Sequence, residues 1–388
     1  MKYTVIILFF FYIVKYEVKF IKYRNLAGES VSVLGFGCMR FPLTGEKRPQ
    51  DIDVEKSTAM LRYAYEHGVN YYDSAYVYHN DKSEEFLAQA LGDVRDKIHI
   101  ATKLPTWRMT KEEDFDFFLN DALKRLNTDY IDFYLIHALD KDRFDNIVLK
   151  YGMIEKLNKA KADGKIRHIG FSFHDDLDTF KRIIDANPAW EFCQVQLNYI
   201  NTDYQAGLEG IEYAKSKGVD VIVMEPLLGG RLAEPNEFVR ESLSDTKTPV
   251  EWALDFLWNR EEVSLLLSGM STMGQVVQNV EFAECAEVGM LTDADIHMLA
   301  KTKEIFEKYA FVPCTKCAYC MPCPFGLDIP KIFEIYNISS SKHDMDVEYK
   351  KLETLADKCK KCGKCEKVCP QRIKITAEME KAHRRLGG

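Results

Sequence analysis

Most of this 388-residue chain is short of three things: long apolar runs, basic charge and cysteine. The apolar run at residues 4–14 (TVIILFFFYIV) has 11 residues, whereas a membrane-spanning helix needs about 20. Lys15, Tyr16, Glu17, Val18 and Lys19 follow where the small residues of an export cleavage site should stand. Residues 1–21 therefore read as an added apolar extension or a start assigned too early, and the expected location is cytoplasmic. Lysine and arginine number 52 against 60 aspartates and glutamates, a net charge of −8. That balance argues against a nucleic-acid partner, since phosphate contacts demand a basic face. Only 12 Pro and 21 Gly are present, so collagen-like and low-complexity chains are excluded. What remains is a composition 46% hydrophobic and 29% charged, able to bury a large core over two or three domains.

Charge and cysteine are unevenly spread. Residues 309–388 hold 15 Lys and Arg against 10 Asp and Glu, a charge of +5 that leaves −13 for residues 1–308. Cys38, Cys193 and Cys285 are scattered and read as buried small hydrophobes, while the other eight of the 11 cysteines fall between Cys314 and Cys369. The chain thus divides into an extension (1–21), a body (22–308) and a cysteine-rich tail (309–388).

In the body, eight apolar runs at residues 34–39, 70–74, 98–103, 130–137, 166–172, 193–199, 220–226 and 264–269 suit strands buried on both faces. Helical patterns separate them, at 54–67, 83–91, 110–126 with a Thr110/Glu113 box, 152–162, 175–185, 208–217 and 248–258. Eight alternations over about 250 residues match a (β/α)8 TIM barrel, with an open doubly wound sheet as the competitor. Residues 22–33 read as a hairpin around Ala27 and Gly28 that plugs the amino-terminal mouth.

Barrel chemistry gathers at the carboxyl ends of strands. The second, third and fourth runs end in Asp73, Lys103 and His137, three ionisable side chains on adjacent strands. Each alone is as compatible with an ordinary strand end. A phenol is close by: Tyr78 lies five residues after Asp73, with Tyr76 as its rival. An Asp73–Lys103 pair at a low-dielectric mouth would favour the phenolate and lower the pKa of such a phenol.

The segments VLGFGCMR, GVNYYDSAYVYHNDKSEEFLAQAL, IHIATK, IDFYLIH, GKIRHIGFSFH and VQLNY resemble the aldo/keto reductase superfamily across nearly the whole body. That resemblance implies a catalytic tetrad of Asp73, Tyr78, Lys103 and His137, with Tyr78 as general acid towards a small carbonyl substrate and His137 orienting the carbonyl. It implies an extended nicotinamide cofactor, NADP or NAD. Ser172, His174 and Gln196 would contact the nicotinamide amide, beside Met224 where relatives carry an aromatic ring. Glu225, Leu227, Gly229 and Arg231 would line the pyrophosphate, and Gly269, Ser271, Gln275, Gln278 and Asn279 the adenosine end. No second cation for a 2′-phosphate clamp is evident.

In the tail, Cys359, Cys362, Cys365, Cys369 and Pro370 fit the bacterial ferredoxin run C-x2-C-x2-C-x3-C-P. Cys314, Cys317, Cys320, Cys323 and Pro324 form a run one residue shorter. Two [4Fe-4S] clusters are expected by the crossover rule: Cys314, Cys317 and Cys320 with Cys369, and Cys359, Cys362 and Cys365 with Cys323. Self-contained runs are the alternative connectivity, and tetrahedral zinc the alternative metal. Helical patterns at 292–309, 330–337 and 346–356 make the tail a small α-helical ferredoxin-like domain.

The expected protein is a reductase of small carbonyls with two clusters and an outside one-electron partner. The alternative is an electron-transfer or redox-sensing protein in which the barrel is a non-catalytic binding module. Hydride moves two electrons together and each cluster takes one, so no direct coupling is written.

Overall fold

The apolar runs become strands that pair in parallel and close on themselves. In the computed structural model, which describes residues 4–5, 16–17, 20–45, 51–342 and 344–387, eight strands form a closed barrel. They are β1 (Leu34–Gly37), β2 (Tyr71–Asp73), β3 (His99–Leu104), β4 (Ile131–Leu139), β5 (Ile166–Phe173), β6 (Phe192–Gln196), β7 (Asp220–Met224) and β8 (Val263–Ser268). β8 pairs with β1, Leu266 opposite Leu34, so no edge is left open. The open doubly wound alternative is thereby excluded.

Each strand is followed by a helix: α1 (Val54–Glu66), α2 (Ser83–Leu91), α3 (Asp114–Arg125), α4 (Met153–Ala162), α5 (Leu177–Ala186), α6 (Gly207–Ser216), α7 (Pro249–Trp258) and α8 (Met273–Ala283). Sequence caps explain several starts. Thr248 and Glu251 make a reciprocal capping box at α7, with Pro249 in its first turn. The expected Thr110/Glu113 box is absent. The Asp114 carboxylate instead accepts from the Thr110 and Lys111 backbone N–H groups, at 2.6 and 3.1 Å, and α3 begins four residues late.

Strand pleating sends alternate side chains inward. Tyr71, Ala101, Phe133, Leu135, Phe192, Ile222, Leu265 and Leu267 form the barrel interior, joined by Leu26 and Val31 of the Tyr23–Leu26/Glu29–Ser32 hairpin. The hairpin thus closes the end opposite the strand carboxyl termini. Its turn residues Ala27 (φ 53°) and Gly28 (φ 91°) are left-handed, as a two-residue hairpin loop requires.

Of residues 1–21, Thr4–Val5 pairs antiparallel with Tyr16–Glu17; the bulk of that apolar stretch lies outside the described residues. No helix among the described residues is long and apolar enough to cross a membrane.

After α9 (Asp293–Tyr309) the tail folds around α10 (Ile329–Ile338), α11 (Met345–Lys350) and α12 (Ile375–Leu386). Its core gathers Val312, Leu327, Ile332, Phe333, Tyr336, Tyr349 and Met379, with cysteines of both runs packed against it. α11 stops at Lys350, short of the expected 356, because the buried Tyr349 hydroxyl takes the Ala356 N–H and the chain turns there.

Candidate active site

The carboxyl mouth brings the four ionisable residues together. Asp73 closes β2, Lys103 lies in β3 and His137 in β4, and they are only 3, 2 and 4% exposed. An ammonium so buried needs full compensation. The Lys103 Nζ donates to both Asp73 oxygens at 2.7 Å and to the Ser74 carbonyl at 2.6 Å, which consumes its three donors.

The loop after β2 folds Tyr78 back over this pair. His79, Asn80 and Asp81 take left-handed φ values of 51, 55 and 66°, a costly run for residues with a Cβ. Two contacts hold it: a His79 Nε2 contact to the Cys38 carbonyl at 2.9 Å, and a two-pronged Arg108 bond to Asp81 at 2.7 and 2.8 Å. The Tyr78 ring centre then lies 5.2 Å from Lys103 Nζ and 6.2 Å from the His137 ring, which it meets edge-on. The rival Tyr76 turns to α3, where its hydroxyl donates to Asp121 at 2.7 Å and accepts from Arg125 at 2.7 Å.

The phenol is not acidic. Burial pushes Tyr78 well above the ordinary tyrosine value, and Tyr319 and Asp73 push it further. Lys103 spends every donor on Asp73 and Ser74 and its charge is offset by that of Asp73, so burial outweighs the acidification expected from the sequence. Burial, followed by the Lys103 charge, holds His137 well below the ordinary imidazole range. Burial also brings His174 down to about 4. At neutral pH the mouth therefore presents a protonated phenol and a neutral imidazole beside an ammonium–carboxylate pair.

These groups line a cavity of about 380 Å³, within the roughly 300–1,000 Å³ of small-molecule sites. Ser172, His174, Met224, Glu225, Leu227, Gly229, Gly269, Ser271, Gln275, Gln278 and Asn279 also line it. Two expected cofactor residues do not. Gln196 is buried behind the wall, its Oε1 accepting from Gln371 at 3.2 Å. Arg231 turns away to the Val312 carbonyl at 3.1 Å and the Phe306 face at 4.6 Å, and burial lowers it to about 10.

Sequence reasoning missed Arg40, Gln194, Lys316, Tyr319 and Pro370 as cavity residues, and did not place the cluster ligand Cys317 on the same wall. Gln194 could have been found, because it shares a strand face with Gln196. Nothing in the sequence brings residues 316–319 or Pro370 of the tail to the barrel mouth.

The cavity suits a polar ligand. Among the described residues, His137 Nδ1, His174 Nδ1, Gln194 Oε1 and Gln196 Nε2 are buried and lack a protein partner. Such atoms cost about 1–3 kcal/mol each unless a ligand or water satisfies them, and donors beside acceptors are what a carboxamide matches. At the far end α8 begins with Thr272 as N-cap, and the Arg40 carbonyl accepts from Ser271 Oγ at 2.7 Å.

The tail forms part of the wall. The Thr315 carbonyl accepts from Arg40 Nη2 at 2.7 Å and sits on Gly229, where an added Cβ would meet it at 2.2 Å. Gln371 Nε2 donates to Glu225 at 3.0 Å, and Arg372 pairs with Asp175 at 2.6 Å. Burial first raises Glu225 to about 6, against the opposing pull of Arg40.

Cys314, Cys317, Cys320 and Cys369 line one cavity walled by Ile329, Pro330, Phe333, Ile373 and Ile375. Among the described residues no three Cys, His, Asp or Glu side chains converge as a single ion requires. Four thiols spread around an apolar hollow suit a larger cationic core such as iron sulfide. Of the remaining four, Cys362 is exposed and Cys323, Cys359 and Cys365 are half-buried.

Fold and site together define a TIM-barrel enzyme of the NAD(P)-dependent oxidoreductase class, with a second, cysteine-rich domain. The pattern of the Aldo/keto reductase family matches residues 33–303, and that of the 4Fe-4S dicluster domain matches residues 313–373. L-galactose dehydrogenase of Arabidopsis thaliana is 30% identical over 309 residues, 72% of this chain and 92% of that protein. Methylglyoxal reductase YeaE of Escherichia coli is 26% identical over 259 residues, 63% of this chain and 83% of that protein. Among solved structures, the holo form of the aldo-keto reductase AKR11C1 from Bacillus halodurans superposes with a TM-score of 0.61 at 26% identity, covering 73% of this chain and 96% of that one. An aldo-keto reductase from Klebsiella pneumoniae in complex with NADPH shares the fold, with a TM-score of 0.60 at 22% identity, covering 72% and 94%. The chain belongs to the aldo/keto reductase family and carries a carboxyl-terminal 4Fe-4S domain.

Proposed function

We propose that this protein reduces a small aldehyde or ketone by hydride transfer, with Tyr78 as the general acid. The observation that carries the reading is a protonated phenol 5.2 Å from a buried ammonium and edge-on to a neutral imidazole at the barrel mouth. A reduced nicotinamide supplies the hydride when bound. His137 holds the carbonyl oxygen, and Tyr78 Oη gives that oxygen its proton as negative charge develops there. Lys103, fixed by Asp73, stabilises the phenolate left behind. A phenol held protonated at neutral pH is in the form that a general acid needs.

Gln194 and His174, both on the cavity wall, carry unpaired atoms that would orient a carboxamide. The α8 amino terminus suits phosphate at the adenosine end and is the feature that favours NADP over NAD. In the tail we assign two [4Fe-4S] clusters with crossed connectivity, supported by the cavity that Cys369 shares with Cys314, Cys317 and Cys320. They supply one-electron chemistry when bound, outside the hydride step, towards a separate redox partner or as structural staples. Free thiols of this kind suit a cytoplasmic setting. The buried tetrad weighs against a non-catalytic barrel.

Anaerobic consumption of NADPH and NADH is measured against a panel of small aldehydes and ketones. Carbonyl-dependent oxidation, faster with NADPH, is expected. No oxidation above the carbonyl-free rate with any member would refute the reading.

A further inference from the structure

Tyr319 belongs to the tail, between Cys317 and Cys320, yet it lines the same barrel cavity as Tyr78, with its hydroxyl beside that phenol. As a residue it is half-buried. The position is held from both sides. Four residues earlier, the Thr315 carbonyl is clamped by Arg40 and packed on Gly229. Between these points Lys316 and Ala318 take left-handed φ values of 55 and 64°, so the loop wraps tightly around the cysteine-lined hollow. Lys103 has no donor left for Tyr78, which leaves the Tyr319 hydroxyl as a polar neighbour able to orient that phenol.

We propose that Tyr319 is a specificity-determining and positioning residue, through which the iron–sulfur domain sets the size of carbonyl accepted at Tyr78. The proposal rests on the reductase reading above. A carbonyl oxygen that reaches Tyr78 Oη takes the place held by the Tyr319 hydroxyl. The substituents it carries then have to pass the Tyr319 ring. Because Tyr319 lies between two cluster cysteines, its aim depends on the loop that those cysteines anchor. Cluster integrity therefore reaches the substrate site through side-chain placement, with no electron passing between them.

The test compares wild type with Tyr319→Phe, Tyr319→Ala and Tyr78→Phe, all prepared without oxygen. It reads kcat and KM for acetaldehyde and for phenylacetaldehyde. A second readout needs no turnover: equilibrium binding of acetate and of phenylacetate to the protein–NADP+ complex. Iron content and visible absorption are checked to equal wild type. Tyr319→Ala is expected to shift the small-to-bulky ratio, in both kcat/KM and carboxylate affinity, by about tenfold or more towards the bulky member. Tyr319→Phe keeps the ring, and is expected to leave that ratio alone while lowering kcat by roughly three- to tenfold with KM little changed. Should Tyr319→Ala fail to load iron, Tyr319→Leu provides the truncated ring. Unchanged ratios in the truncated variant, with Tyr78→Phe inactive, overturn the inference and leave the reductase reading intact. Full activity of Tyr78→Phe overturns the reading itself.

Discussion

Asp73→Asn isolates the buried charge pair on which the site is built. The substitution keeps the shape of the side chain and removes the charge opposing an ammonium that is 2% exposed and 2.7 Å from both carboxylate oxygens. Removing one member of a buried pair costs about 3–5 kcal/mol. For a chain of this size that loss is equivalent to a fall of roughly 4–8 °C in Tm. Urea unfolding followed by circular dichroism, with calorimetry at pH 7, measures it. The double variant Asp73→Leu/Lys103→Met removes both charges and is expected to recover most of that stability while remaining inactive. A single-variant loss below about 1 kcal/mol, or a double variant as unstable as the single one, would refute the claim that an unrelieved buried charge governs this site.

Three further outcomes follow from other parts of the molecule. Glu84 is buried, and its carboxyl is raised from 4.5 to about 7 by burial first, against Thr102 and Arg125. The unfolded chain ionises it earlier as pH rises, so stability is greatest below about 4.5 and falls until pH 7, by roughly 3 kcal/mol relative to Glu84→Gln; denaturation at pH 5 and 8 that gives a constant difference between the two proteins contradicts this. Gly229 (φ 67°) sits where a Cβ would strike the Thr315 carbonyl, whereas Gly289 (φ 73°) has open space. Gly289→Ala pays only the left-handed cost of about 1–2 kcal/mol; Gly229→Ala is expected to lower Tm further and loosen the tail, read by limited proteolysis, and equal Tm values would contradict the contact. Iron should number about eight per chain and fall to about four in both Cys314→Ser and the Cys314→Ser/Cys369→Ser double variant, because one hollow holds both residues; a further loss in the double variant would favour self-contained runs.

The barrel was legible because parallel strands buried on both faces leave continuous apolar runs with helical spacing between them. Strand ends were misjudged by one to three residues, as at β4, which continues past His137 to Leu139. The tetrad was legible for a related reason: a strand end is a fixed place on the barrel, so Asp73, Lys103 and His137 could be ranked along one rim. The sign of the Tyr78 shift was not, since it depends first on how deeply the phenol is buried once the tail covers the mouth. α12 left a usable signal, with Ile375, Met379, Ala382 and Leu386 on one face, but the basic and acidic residues between them obscured it. Tyr319, Gln371 and the displaced Arg231 depend on the docking of the tail over the mouth. Local pattern carries no information about contacts between residues more than seventy positions apart.

The most direct test is the turnover of Tyr78→Phe, a variant that removes one hydroxyl from the cavity and leaves the Asp73–Lys103 pair in place. With NADPH and the best carbonyl of the panel, kcat is predicted to fall by about 10²–10⁴-fold, the usual contribution of a general acid, while the affinity for NADPH and the iron content stay at wild-type values. A kcat within about threefold of wild type would contradict proton donation by Tyr78 and, with it, the chemistry assigned to the barrel mouth.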